Sequence, residues 1–479
     1  MNSQIILLLT VFIPFFGSLL LPLAGFLSIR LRNYLSLAMV LSSLVLSASL
    51  LPQVLAGGPV LFQLNLDMGF LGNAPCIFKA DALAIFMAIV SSLIGSIIVF
   101  YSFGYISHYE NQNEYYFMVV LFLGSMMGLV FASHLIFLYV FWELSALCSW
   151  RLIGFFREKE HILRADKAFL VTFGGAAVML IGFIMIYVQY GTFDLNSIPH
   201  GSAISNTAMA LILFGILSKS STLPFHTWLP DAGVAPAPVT SLLHAAILVK
   251  IGVYVFARLF FVVFAPESVW QTIIPVIAAL SALVSAGAAI METDLKRIIA
   301  YSTISQIAFI FLGLSCGSPL GVAGGLLYIL MHGLAKGGLF LCAGVVEQNT
   351  KTKDITKLGG LFAAMPVTAI TFITCSFSIM GIPPFGGFFS KDMVISGAVE
   401  AGHPWIAFVF VLGAILTVIY LLRVFIMVFL GPVKTRPAGE GSSTMLISIG
   451  TLAVLSLAAG ILIYYPATLI QTIIKGVIG

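Results

Sequence analysis

Charge is what this chain lacks. Only 8% of its 479 residues are Asp, Glu, Lys or Arg, against 60% hydrophobic residues and a mean hydropathy of +1.11. Soluble domains carry about 25% charged residues, so a soluble domain is excluded. Five cysteines, Cys76, Cys148, Cys316, Cys342 and Cys375, are scattered with no CxxC pair and no histidine at metal-ligand spacing. An iron–sulfur, zinc or other metal centre within the chain is therefore not expected, and any electron transfer belongs elsewhere. Also missing are a GxGxxG turn after a strand, a phosphate-binding loop and a GxSxG elbow, which removes the usual soluble-enzyme readings. The first apolar run has no leading basic region and no cleavage site, and reads as a spanning helix.

What fills the chain is apolar runs of roughly 20 residues, each long enough to cross about 30 Å of hydrocarbon as a helix. Fourteen are predicted, near 4–28, 34–56, 81–104, 115–133, 135–155, 168–190, 208–228, 236–263, 270–291, 298–315, 320–346, 361–392, 405–430 and 444–465. The fold expected is an all-α polytopic membrane protein. Cations set its orientation: the breaks after runs 1, 5, 9, 11 and 13 hold thirteen Lys and Arg, Lys296 and Arg297 among them, and the other side holds Lys79 and Lys475. By the positive-inside rule the odd-numbered breaks face the cytoplasm and both termini face outward. The net charge of +4 reflects this topology and does not point to nucleic acid.

Seven cations remain in or at the edges of the runs: Arg151, Lys219, Lys250, Arg258, Lys336, Lys391 and Arg423. Arg151 and Arg258 are expected to snorkel to the interface; Arg423 is open to either reading. A charge at the middle of a spanning helix costs about 2.5 to 3.5 kcal/mol on insertion scales, so the four lysines are functional candidates that need partners. Glu143, in FWELSALCSW, is the buried carboxylate expected to pair with Lys219 and to govern whether that lysine holds its proton. A purely structural ion pair is its bland alternative. His332 and Lys336 lie four residues apart, on one helix face, and an imidazole titrating near neutrality beside a lysine makes a relay. His244 and Lys250 are six apart, which does not place them on one face.

Two runs are interrupted. Pro224 cannot bond to the Ser220 carbonyl, and Pro383 and Pro384 free the carbonyls of Ile379 and Met380. Broken backbone at membrane depth is tolerated where it is buried in protein or lines an aqueous cavity, so an aqueous path is expected along helices 7 and 12. If helices 4–8 and 9–13 form two five-helix units, the breaks fall on the fourth helix of each, and the second copy runs inverted through the membrane. The divisions expected are 1–110, 111–265, 266–432 and 433–479.

The segments FWELSALCSWRLIGF, KAFLVTFGG, LPFHTWLPDA, APVTSLLHAA, DLKRIIAYSTISQI, LMHGLAKGGLFL and GFFSKD resemble the antiporter-like membrane subunits of respiratory complex I, Mrp cation/proton antiporters and energy-converting hydrogenases. The resemblance covers about residues 65 to 430, in order. It implies a half-membrane water wire lined by Glu143, Lys219, His244, Lys250, His332, Lys336 and Lys391. It also implies a proton-translocating subunit, exchanging sodium in one version, in a multisubunit redox-driven assembly of a prokaryotic inner membrane. Other antiporter-like subunits and a peripheral redox arm are the partners implied, with Fe–S, Ni–Fe or flavin cofactors in those partners and none here. KAFLVTFGG lacks the arginine that complex I versions place after the threonine, which leans toward a hydrogenase-type or Mrp-related complex. A standalone antiporter, a membrane subunit of an inorganic-carbon uptake complex, and a scaffold whose lysines are merely paired are the rivals.

Overall fold

The computed structural model describes residues 2–67 and 73–478. Among them, twelve helices are long and apolar enough to cross a membrane, and two further crossings are each built from two shorter helices, which makes the fourteen expected. In chain order they are Ser3–Leu27, Ile29–Gly57, Ala82–His108, Gln112–Phe131, Leu135–Ile153, Lys159–Tyr190, Asn206–Lys219 with Trp228–Asp231, Ala237–Val263, Trp270–Met291, Leu295–Ser315, Pro319–Thr350, Pro366–Met380 with Gly386–Glu400, Pro404–Phe429 and Ser443–Ile461. These are spans 1 to 14. Short polar side chains start several of them: Asp81, Ser205, Asp294 and Ser318 each accept an amide from the first turn of spans 3, 7, 10 and 11, which satisfies donors the helix itself leaves free.

Three features depart from the sequence expectation. Span 12 runs past 392 to Glu400, so Lys391 lies within its second helix and not at its end. Between spans 2 and 3 the chain forms an antiparallel hairpin, β1 (Val60–Asp67) and β2 (Asn73–Ala80), with Val60 opposite Ala80. Its alternation of Phe62, Leu64 and Leu66 with Gln63, Asn65 and Asp67 is a period-two signal. After span 14 a further helix, Tyr464–Ile478, buries Ile470, Ile473 and Ile474 against the bundle and leaves Tyr464 and Tyr465 exposed. It packs across the ends of spans 3, 8 and 11.

Burial separates an axis from a perimeter. In spans 8, 10 and 11 the most apolar stretch is 94% buried, whereas in spans 1, 2 and 13 it is 33% buried and faces outward. Ion pairs gather the odd-numbered connections on one rim: Lys167 and Arg297 both reach Asp231 at 2.7 Å, Arg297 reaches Glu292 at 2.8 Å, and Lys353 reaches Asp294 at 3.0 Å. Lys296, expected as a loop cation, is instead buried in the first turn of span 10, where its ammonium meets the Ala235 carbonyl at 3.0 Å and Glu347. The opposite rim carries the ends of spans 2, 8 and 14 and the starts of spans 3 and 11.

Candidate functional site

The two broken spans end their first helices in the same way. In span 7 the Thr222 amide reaches back to the Leu217 carbonyl at 3.0 Å and the Ser221 amide to Ser218 at 3.4 Å, with Ser221 at φ 54°. In span 12 the Ile382 amide reaches Phe377 at 3.0 Å and the Gly381 amide Ser378 at 3.2 Å, with Gly381 at φ 80°. Both are paired 6→1 and 5→2 helix closures with a left-handed residue just past the helix. Each is followed by a cis-proline turn: Phe225 donates to the Thr222 carbonyl across Leu223–Pro224, and Phe385 to the Ile382 carbonyl across Pro383–Pro384. Pro224, Pro383 and Pro384 all lie on the perimeter.

Lys219 is the last residue of the helix before the first turn, and it is fully buried. Its ammonium donates to the Trp142 carbonyl of span 5 at 3.0 Å and lies 5.2 Å from the Trp142 ring centre. Glu143 is the next residue along span 5, but it does not form the expected contact ion pair. It is half-buried on the perimeter side, and its Oε1 points inward with no hydrogen-bond partner among the described residues. The reason is geometric: consecutive helical residues point about 100° apart, so the lysine that grips the Trp142 backbone sits beside the glutamate and not against it.

Span 8 is a third irregular helix that sequence reasoning missed. Two π turns, Leu242–Ala246 and Arg258–Val263, flank a regular Leu248–Ala257. His244 sits inside the first, with its ring 4.3 Å from that of Phe340 and neither nitrogen partnered among the described residues. The turn also bends the Lys250 ammonium back onto the Ala245 carbonyl, while Ser91 donates to Ala246 at 3.1 Å. Lys250 lies against span 11, where a Cβ on Gly333 would come within 2.4 Å of its Nζ. His332 is the neighbouring residue and is also without a partner on either nitrogen among the described residues. Lys336, on the same face one turn on, donates to the Ile299 carbonyl of span 10 at 3.0 Å. The structure thus brings Lys250, His332 and Lys336 together along the axis, with His244 next to them.

Lys391 reaches the break of its own span, donating to the Ile379 carbonyl at 2.5 Å, with its ammonium 4.6 Å from the Phe309 ring centre and 5.6 Å from that of Tyr328. Beyond Tyr328 a buried polar chain runs through Gln306 (2.7 Å), Thr417 (3.3 Å) and Tyr420 (3.3 Å) to Ser302 (2.6 Å). These neutral side chains carried no signal in the sequence, because Ser, Thr, Gln and Tyr in an apolar helix are common.

All four lysines share one arrangement: each is buried and each donates to a main-chain carbonyl, with no carboxylate in contact among the described residues. Two of the arginines do the reverse. Arg258, expected to snorkel, is buried and bound through both Nη atoms to Asp81, with Tyr254 also accepting from it at 2.8 Å. Arg151 pairs with Glu114, whereas Arg423, like the lysines, donates to main-chain carbonyls, those of Ile290 (2.6 Å) and Glu292 (3.1 Å) at the end of span 9.

A family profile described as "NADH:quinone oxidoreductase/Mrp antiporter, TM" matches residues 132–417, and one described as "NADH-Ubiquinone oxidoreductase (complex I), chain 5 N-terminus" matches residues 67–116. The chain belongs to the NADH:quinone oxidoreductase/Mrp antiporter family. It is 35% identical over 431 residues to an Na(+)/H(+) antiporter subunit of Staphylococcus haemolyticus, and 35% identical over 437 residues to an Na(+)/H(+) antiporter subunit of Alkalihalophilus pseudofirmus. Each match covers 82% of this chain and 53% of the relative. The chain therefore spans about half the length of the curated relatives it matches. Its fold is that of a chain in the Mrp complex from Dietzia sp. (TM-score 0.89, 23% identity, 100% of this chain and 98% of that one). The same fold recurs in a chain of an archaeal membrane-bound sulfane sulfur reductase (TM-score 0.87, 22% identity, 99% and 98%).

Proposed function

We propose that this chain is a proton-translocating, antiporter-like subunit of a multisubunit membrane complex. One observation carries the reading: four buried lysines and two unpartnered histidines lie within spans 7, 8, 11 and 12, and none of these lysines is locked to a carboxylate. A lysine held by neutral carbonyls can lose its proton without leaving a partner charge stranded, which a buried salt bridge would forbid. A scaffold whose lysines are merely paired predicts instead that charge-neutral substitutions at Lys219 and Glu143 together are silent. Lys219 takes or releases a proton as Glu143 moves toward or away from it, Lys250, His244, His332 and Lys336 pass protons along the axis, and Lys391 leads toward the outer face. Water meets the orphaned imidazole nitrogens, each of which would otherwise cost about 1 to 3 kcal/mol to bury.

The basic rim is cytoplasmic and both termini face outward, in a prokaryotic inner membrane. Helices 4–8 (111–265) and 9–13 (266–432) form an inverted pair between 1–110 and 433–479, a division the matched breaks support. Glu143 and the three prolines at the perimeter call for neighbouring membrane subunits to cover them, since neither a carboxylate nor broken backbone is stable against lipid. Protons move and sodium is the counter-ion where exchange occurs. The names of the 35%-identical relatives favour an Mrp-type Na+/H+ exchanger over a complex with a peripheral redox arm.

Reconstituting the complex with a pH dye tests both levels. Lys219→Ala abolishes coupled transport while assembly is unchanged; undiminished proton movement in that variant refutes the assignment. Proton movement driven by a sodium gradient alone identifies the exchanger, and movement that requires an electron donor identifies the redox-driven assembly.

A further inference from the structure

On the rim opposite the ion-pair network, the end of span 2, the β2 strand, the start of span 3 and the last helix enclose a cavity of about 380 Å³. Its lining has two halves, with Lys79, Asp81 and His200 on the polar one and Leu55, Leu83 and Ile473 on the apolar one. The charges of the polar half are unevenly matched. Both Asp81 oxygens are held by Arg258, Oδ1 at 2.8 Å, and Oδ1 also accepts the Ala84 amide at 2.9 Å. Lys79, partly buried, has no hydrogen bond or salt bridge among the described residues. Burial pushes its ammonium down, and the attraction of Asp81 offsets this only in part. Asp194, the other carboxylate that Lys79 feels, is turned to its own loop, accepting the Asn196 amide at 2.9 Å and the Ser197 hydroxyl at 2.7 Å. Lys79 is thus a half-sheltered cation without a counter-ion in contact, an arrangement that costs free energy until an anion meets it.

The remaining polar atoms say what else that anion must carry. His200 Nδ1 lies 2.6 Å from the Val262 carbonyl, an oxygen that only accepts, so Nδ1 bears the hydrogen and Nε2 of the neutral ring is an acceptor. Asp81 has about four acceptor sites, of which three are taken. Lys79 and Asp81 are two residues apart on extended backbone, hence on one side and about 7 Å from each other. The apolar half continues out of the cavity: Leu41, Val45, Ala48, Pro52 and Leu55 form an exposed stripe on span 2 in steps of three and four. That stripe is about 20 Å long, enough for a chain that fills half of the roughly 30 Å hydrocarbon core. We propose that this cavity seats the headgroup of a phosphatidylethanolamine, with its phosphate on Lys79, its ammonium against Asp81 and His200, and one acyl chain along the span 2 stripe. Choline, which has no N–H to donate, does not fit the same acceptors. The site is separate from the lysine relay, and it stands whether or not that relay carries protons.

The assembled complex, stripped of lipid in detergent, tests this with phosphatidylethanolamine that carries a photoactivatable acyl chain, the cross-links being mapped by mass spectrometry. The probe labels span 2 between Leu41 and Leu55 saturably. The same chain on phosphatidylcholine needs at least about tenfold more for half-maximal labelling, as expected for the loss of one hydrogen bond to a charged group; equal labelling by the two overturns the proposal without any variant. Lys79→Gln raises the half-maximal concentration of the ethanolamine probe by a similar factor with assembly intact, whereas Lys79→Arg, which keeps the cation, is labelled as the parent is. Labelling of the exposed face of span 13, which reports lipid held by no such seat, is the same in all three. A Lys79→Gln complex labelled on span 2 as readily as the parent overturns the proposal. Millimolar inorganic phosphate leaves the labelling unchanged; if it displaces the probe, the cavity holds a free anion and the lipid seat falls.

Discussion

Spans 7 and 12 bend through corresponding turns, Ser221–Thr222–Leu223–Pro224–Phe225 and Gly381–Ile382–Pro383–Pro384–Phe385, yet they bring their lysines to the break from opposite sides. Lys219 sits on the helix before the turn, at the position that Ile379 holds in span 12. Lys391 sits on the helix after the turn and reaches back to the Ile379 carbonyl. At the position matching Lys391, span 7 has Asp231, which has left the interior for the rim and binds Lys167 and Arg297. What the two spans share is the broken backbone and an ammonium near it; which helix half supplies that ammonium differs. The turn is the constant element, because the 6→1 closure and the proline together expose carbonyls that no amide of the helix can reach.

That comparison can be broken directly. Lys391→Ala stops proton translocation as completely as Lys219→Ala if an ammonium at each turn is what matters, and moving the charge across the turn with Ile379→Lys and Lys391→Ile restores measurable translocation. A dead swap variant would show that the supplying side matters too. The next largest effect is on packing. A Cβ on Gly387 would lie 1.8 Å from the Ser378 carbonyl, so Gly387→Ala destabilises by about 3 kcal/mol. Thr227, the matching residue in span 7, is exposed, and Thr227→Ala stays within about 0.5 kcal/mol; thermal unfolding of the purified complex reads both.

The left-handed position gives a smaller, signed effect. Gly381→Ser costs about 1 to 2 kcal/mol, since a Cβ is disfavoured there. Ser221→Gly gains less than that, because it gives up the Ser221 hydroxyl bond to the His226 carbonyl at 2.9 Å. Smallest is the rim anchor, outside the hydrocarbon. The Asp231 carboxylate is held there by Lys167 and Arg297, each at 2.7 Å. Both pairs need an ionised carboxylate, so their contribution is present at neutral pH and is lost when strong acid protonates the group. Asp231→Asn therefore lowers the thermal midpoint at neutral pH and matches the parent in strong acid.

Much of the candidate site was legible in the chain because charge is so rare in it. Lys219, Lys250, Lys336 and Lys391 stand out against apolar neighbours, and all four are buried as their cost predicts. Arg258 misled for a related reason: it is as buried as the lysines, and its partner Asp81 is 177 residues away. No window along the chain can show such a pairing. The π turns of span 8 were equally hidden, since His244, Lys250 and the residues between them are compatible with a regular helix and only the packing against spans 3 and 11 selects the wider turn.

Hydrophobic length and the placement of prolines determined, from the sequence alone, that this protein crosses a membrane fourteen times and breaks two of its crossings. Those properties depend on neighbours a few residues apart, where transfer free energy and the missing proline amide act locally. Which carbonyl each lysine holds, whether a carboxylate touches it, and where the polar ladders end were decided only when distant helices packed together. Hydrogen bonds reach about 3 Å, and only the tertiary structure says which groups come that close.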